Sequence, residues 1–352
     1  MALSGAAATI MTLRQMGSMS DYDAAVAATR AALKQKPEIR EFIRYATLAA
    51  NSHNTQPWRF KLSDRGIDIL PDLTRRLQAV DPDNHHLFAS LGCAAENLAL
   101  AARMGGKPGE LGFGPANDGT VIFAYGIGVP TEPWLFDAIP QRQSTRGDYD
   151  GHAVNSADLA KLTAAAAVPG VDLVVITDRL QIDRVRELVV AGNSAQMADA
   201  AFVRELKSWL RFNPRQAMER GDGLFSAASG NPVAPAWLGS VMFDLAFKAT
   251  SENEKYSRQI ASSAGIAVFV AQHDNPEHWV LAGRACQRFA LAATALGLKH
   301  AFINQPVEVA RLRPELAALI GMPGRRPDIV MRFGYGAALP FSARRTVDAV
   351  LS

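Results

Sequence analysis

"GCAAENLALAARMGG", residues 92–106, returns as "GRACQRFALAATALG" at 283–297. Aligned on Gly92 and Gly283, seven of fifteen positions are identical, including "ALAA" at 99–102 and 290–293. A strand-like run follows each copy. "IFAYGIG" at 122–128 and "VMRFGYG" at 330–336 share both glycines. A helix and a strand matching in the same order predict an internal duplication, with a period too long for a solenoid. The expectation is a pair of α+β units in one chain.

The bulk numbers agree with a large globular protein. The chain has 352 residues, 48% hydrophobic and 20% charged, which exceeds what one small core holds. Net charge is +3 without a basic block, so a phosphate-backbone binder of nucleic acid is a poor match. Cys93 and Cys286 are the only cysteines, far apart and without CxxC. A structural zinc site and a disulfide framework are therefore not expected, and both thiols read as small apolar packing. "ALSGAAATIM" at the start reads as the end of an export signal or as a frayed helix. That leaves the compartment cytoplasmic or exported to a periplasm. No other run is long and apolar enough for a bilayer.

Along the chain, residues 1–36 read as an N-terminal segment with an amphipathic helix over 21–35. Residues 37–128 form the first unit, with a hairpin around Asp64-Arg65-Gly66. Residues 129–150, with Pro130, Pro133 and Pro140, read as a linker. Residues 151–352 form the second unit, with Ser156 as N-cap of its first helix. This unit carries extra material over about 204–262, rich in Gly, Ser and Pro. The extra stretch also holds Phe225, Trp237, Phe243 and Phe247, more aromatics than a disordered linker holds. It reads as a lid that packs on something.

Several chemistries lack their motifs. There is no GxSxG, no HExxH and no P-loop, and His85-His86 is a pair whose rings diverge on a helix. The GxG runs lack the third glycine of a Rossmann turn. Two polar clusters remain. "SHNTQPWRF", residues 52–60, crowds Ser52, His53, Asn54 and Gln56 at a corner before Trp58. In "QRQSTRGDY", residues 141–149, Arg142, Ser144 and Arg146 alternate. In extended chain such residues point one way, so two guanidiniums and a hydroxyl can converge on one anion. A solvated basic linker is the plainer alternative.

These residues resemble the nitroreductase superfamily. "RQSTR" resembles its arginine–serine motif, "ANSHNTQPWRF" its Ser-x-Asn-x-Gln-Pro-Trp corner, and "DIVMRFGYG" with the later "ARR" its C-terminal strand and basic pair. The order, with the corner in the first half and the arginine motif opening the second, is similar to the Acg family of FMN-binding proteins. The resemblance implies a tandem nitroreductase-like fold, an intramolecular pseudo-dimer with a lid insertion. It implies bound FMN, with Arg142 at its phosphate, Ser144 at the phosphate and ribityl chain, and Arg146 at the ring edge. Arg344 or Arg345 would complete the phosphate site. Ser52, Asn54 and Gln56 would reach the ring or ribityl chain, His53 would be a turn residue or touch the ring edge, and Asn304-Gln305 would lie beside the flavin. The flavin itself would carry the catalysis, with no catalytic side chain and no metal. NAD(P)H and a nitro- or quinone-like acceptor would be the partners. The alternative is an FMN store closed by its lid. The oligomeric state would be a monomeric pseudo-dimer or a homo-oligomer.

Overall fold

The computed structural model describes residues 16–34, 37–114, 119–126 and 132–352. The N-terminal apolar stretch and the start of the linker lie outside them. The first sheet contains β1 (Trp58–Ser63), β2 (Gly66–Pro71), β3 (Gly109–Gly114) and β4 (Thr120–Tyr125), in the order β1-β2-β4-β3. Later come β5 (Val171–Ile176), a short parallel pair β6 (Leu210–Arg211) and β7 (Leu224–Phe225), then β8 (Gly265–Ala271), β9 (Lys299–Phe302) and β10 (Ile329–Gly334). The second sheet has the order β5-β8-β10-β9. Every pairing in both sheets is antiparallel.

The two sheets have one topology. Each receives a twenty-residue helix after its second strand, His85–Met104 in one and Pro276–Ala295 in the other. The strands that match in sequence, β4 and β10, hold the same third place. The helices that match in sequence pack on each other. A Cβ on Gly92 would lie 2.0 Å from the Val280 carbonyl oxygen, and one on Gly283 would lie 1.9 Å from that of Ala89. Ala89 and Val280 are themselves equivalent under the repeat, so the contact is reciprocal. Only glycine lets the two backbones approach this closely. The Cys93 thiol donates to the Gly283 carbonyl at 3.1 Å, and Gln287 Nε2 donates to Asn97 Oδ1 at 2.7 Å. Burial alone would raise the Glu96 carboxyl, but Arg284 and Arg288 outweigh it and hold it below its usual range. Trp58, Phe60 and Phe123 on one side and Phe269, Phe289 and Phe333 on the other fill one continuous core.

The halves also exchange tails. Thr145 N donates to the His300 carbonyl at 2.8 Å, which lays the linker along β9. Ser352 N donates to the Phe60 carbonyl at 3.0 Å, which lays the C-terminus along β1. The linker and the tail thus meet at the seam.

The hairpin turn Asp64-Arg65 that joins β1 to β2 has a long counterpart. Between β5 and β8 the chain inserts residues 177–264, including helices Arg179–Ala198, Ala200–Ser208, Pro214–Arg220, Ala236–Ala246 and Ala249–Ala261. The helical stretch that follows β5 breaks at Asp199, whose carboxylate caps Ala201 N. The second unit's first helix starts at Ser156, but Asn155 supplies the cap by accepting from Asp158 N. The N-terminal helix runs Met19–Thr29, shorter than its apolar pattern suggested. No helix among the described residues is long and apolar enough to cross a membrane.

Candidate functional site

The corner after helix Ile39–Thr47 is a strained turn. His53, Asn54 and Gln56 have φ of 47°, 54° and 52°, left-handed values that side chains other than Asn rarely adopt. Each such residue costs on the order of 1–3 kcal/mol and persists only where its surroundings fix it. Here Thr55 N donates to the Ser52 carbonyl at 2.9 Å and Gln56 N donates to Asn51 Oδ1 at 2.9 Å.

The polar side chains of the corner divide between two tasks. Ser52 and His53 face a large cavity of about 560 Å³. Asn54 and Gln56 turn away from that cavity, though Asn54 still lines a smaller recess beside it. Asn54 Nδ2 donates to the carbonyls of Gly223 and Ala343, at 3.0 and 3.1 Å. Gln56 Nε2 donates to the Gly221 carbonyl at 2.8 Å, and its Oε1 accepts from Arg345 N at 2.9 Å. These two amides fasten the root of the insert and the C-terminal tail. Gln56 lines neither cavity described here.

A smaller recess of about 40 Å³ adjoins the large one across Ala50, Asn51, Arg146 and Leu224. Arg142, Ser144 and Arg146 all line it, as their alternation requires of extended chain. Arg30 and Arg344 line it too, and among the described residues no carboxylate does. Arg142 Nη2 donates to the Leu48 carbonyl at 3.1 Å, while its Nε and Nη1 are buried without a partner. Arg30 Nη1 donates to the Pro140 carbonyl at 2.7 Å, and its Nε is likewise unpartnered. Among the described residues the Arg146 guanidinium has no hydrogen bond or ion pair. Arg344 is fixed by the Thr47 carbonyl and Asn54 Oδ1, both at 2.7 Å. Arg345 points away, onto the Gln56 carbonyl at 3.2 Å, with Asp72 beyond it at 3.8 Å. Burial lowers Arg142 to about 10 and, with Arg142 beside it, Arg344 to about 9; both stay protonated near neutral pH. Four cations without a counter-charge in a half-closed recess call for an anion.

The large cavity has a mixed wall. Arg146, Asn304 and Gln305 line it, and Gln305 Oε1 is buried and unpartnered. Asn304 Oδ1 accepts from Val330 N at 2.9 Å, so its amide also pins β10. His53 Nδ1 has no partner, and burial, with Arg146 nearby, lowers its pKa to about 4, so the ring is neutral. The insert supplies the roof through Phe212, Leu224, Leu238 and Phe243. Trp237 does not take part; it is 68% exposed on the outer side of its helix. Phe225 is buried elsewhere, against Tyr22 at 4.5 Å between ring centroids.

Arg30 carries no motif in the sequence. It caps the N-terminal helix, stacks over Phe341 at 3.8 Å and reaches the recess from a segment more than a hundred residues from the linker. His86, Gln196 and Glu308, which also line the large cavity, were equally unmarked as site residues. Among the described residues no cluster of His, Cys, Asp and Glu suits a metal ion. Trp58, the stop of the corner, is fully buried.

Comparisons with known proteins place the chain. The profile of the nitroreductase family matches residues 139–336. Rv3131 of Mycobacterium tuberculosis, provisionally named an NAD(P)H nitroreductase, is 26% identical over 325 residues, covering 89% of this chain and 90% of that protein. The similarly named acg protein of the same species is 22% identical over 334 residues, covering 89% and 94%. Among solved structures, a nitroreductase with bound FMN from Bacteroides fragilis is 16% identical, with a TM-score of 0.38 and coverage of 60% of this chain and 94% of that one. With the family profile spanning more than half of its residues, the chain belongs to the nitroreductase family.

Proposed function

We propose that this chain binds FMN across the seam and works as an oxidoreductase, taking hydride from NAD(P)H and reducing a nitro- or quinone-like acceptor. The observation that carries this reading is the carboxylate-free recess of Arg30, Arg142, Arg146 and Arg344, opening beside a cavity sized for an organic ligand. Small-molecule sites run to about 300–1,000 Å³, and the large cavity falls within that range. The unpartnered nitrogens of Arg30 and Arg142 fit a phosphate, which accepts several charge-assisted bonds at once.

In this reading Arg30, Arg142, Ser144 and Arg344 hold the phosphate. Arg146, common to both cavities, would stabilise the negative charge of a reduced flavin ring. Ser52, His53, Asn304 and Gln305 form the polar side of the ring pocket, and the roof phenylalanines exclude water. FMN, when bound, supplies the hydride acceptance and electron transfer; the protein supplies placement and electrostatics. The names of the mycobacterial relatives support a pyridine nucleotide as hydride donor. The repeated topology supports two fused halves, about 37–128 and 151–352, joined by 129–150 and mimicking a dimer, with the lid over about 204–262.

The apolar roof favours a second reading, in which the cofactor is stored and no donor reaches it. One experiment separates the two. Protein loaded with FMN and desalted should bleach on NADPH or NADH and recover on menadione, with steady turnover. Bleaching by dithionite alone, without response to either nucleotide, would instead establish storage.

A further inference from the structure

His85-His86 marks a cluster that the cofactor site leaves unused. It lies at the start of the core helix His85–Met104, and its inner member faces the large cavity. His86 Nε2 stands 3.7 Å from Glu308 Oε1. Gln196 Nε2 donates to the other carboxyl oxygen at 2.6 Å. All three side chains line the cavity. Behind them, and unlike the divergence expected of neighbours on a helix, His85 packs on His86 with ring centroids 4.7 Å apart, and His85 Nε2 meets Asp328 Oδ1 at 2.8 Å. None of these residues lines the arginine recess.

Resting on the oxidoreductase reading above, we propose that Glu308 is the proton donor to the acceptor, held in place by His86 and Gln196. A quinone or nitro group takes up protons as well as electrons. For a quinone the balance is one hydride from the reduced cofactor and one proton from Glu308, giving the hydroquinone. The O–H bond of Glu308 breaks, an O–H bond forms on the acceptor, and the carboxylate left behind regains a proton from water. The acceptor class is therefore one whose oxygen must be protonated, rather than a pure electron acceptor.

The surroundings keep Glu308 ready for this. Burial raises its pKa, and Asp81 raises it further, against the opposing effects of His86 and the Gln196 hydrogen bond. His86 does not neutralise it by taking the proton. Burial lowers the ring to about 4, with His85 and Arg326 adding to the fall and Glu308 and Asp83 opposing it. His85 is likewise lowered to about 4, chiefly by burial and then by Arg326. Tyr256, raised by burial, faces the same space. The donor form of Glu308 is fully present below its raised pKa and is lost as pH rises through it.

The test uses Glu308→Gln and Glu308→Asp beside the wild type, each loaded with FMN and photoreduced without a nucleotide, then mixed with menadione or with ferricyanide, which takes up no proton. FMN uptake and ferricyanide oxidation should match the wild type in both variants. Menadione oxidation should slow at least about tenfold in Glu308→Gln, within the range general acids contribute. It should lose its fall at high pH and its solvent isotope effect, and Glu308→Asp should restore part of both. In FMN-free protein, an infrared pH titration should show a carboxylic-acid carbonyl band that persists to higher pH than that of an exposed glutamate and that Glu308→Gln removes. An unchanged menadione rate and pH profile in Glu308→Gln, with FMN bound, would overturn the assignment of Glu308 alone. Failure of the wild type to take up FMN would overturn the cofactor reading together with it.

Discussion

Arg142→Ala combined with Arg146→Ala should release FMN while leaving the fold intact. A hydrogen bond to a charged group contributes about 1.5–3 kcal/mol, so two such losses amount to about 3–6 kcal/mol. That corresponds to a rise in Kd on the order of a hundredfold to ten-thousandfold. The fold should survive because Arg142 gives its neighbours only the Leu48 carbonyl bond, and Arg146 gives none. Arg30→Ala alone should weaken binding about tenfold or more by the same reckoning. Arg345→Ala should leave it unchanged, since that guanidinium is spent on Gln56 and Asp72. Fluorescence titration of FMN, with thermal melts of each variant, checks all three. Equal affinity in the double variant and the wild type would move the phosphate elsewhere.

Gly283→Ala should produce the largest loss of stability, with Gly92→Ala close behind. The new methyl would meet a backbone carbonyl at 1.9 Å in one case and 2.0 Å in the other. Overpacking costs about 1–3 kcal/mol where side chains can yield, and here the neighbour is main chain within a helix. A loss of about 3 kcal/mol or more follows, through separation of the two core helices. Gly112→Ala is the control, since nothing lies within 4 Å of its Cβ position and its φ is ordinary. Chemical denaturation should show the Gly283 and Gly92 variants unfolding far earlier than Gly112→Ala. Near-equal midpoints would mean the repeat glycines do not set the helix approach.

The same glycines explain how much of the fold was legible. Gly92 and Gly283 anchored the repeat in the sequence because close helix packing tolerates no other residue there. Their alignment carried with it the matched places of β4 and β10. The alternation of Arg142, Ser144 and Arg146 was equally readable, since an extended backbone sends alternate side chains to one side. Arg30 was not readable: its helix shows only an amphipathic pattern, and its reach to the recess depends on Tyr22 and Phe341 docking the helix on the tail, where Tyr22 Oη donates to the Phe341 carbonyl at 2.7 Å. The corner residues were recognised as polar, but their division was hidden. Asn54 and Gln56 face carbonyls of Gly221, Gly223 and Ala343, partners 165 or more residues away. Trp237 misled for a related reason. An aromatic in a lid suggests contact with what lies beneath, yet helix rotation places Leu238 and Phe243 on the cavity side and Trp237 in solvent.

The seam between the two halves is proposed to hold a phosphorylated flavin. A visible absorption spectrum tests it most directly, taken on purified protein mixed with FMN and then desalted. Retained yellow flavin is expected, a single FMN per chain, lost from the Arg142→Ala, Arg146→Ala double variant. Colourless wild-type protein after the same treatment would contradict it.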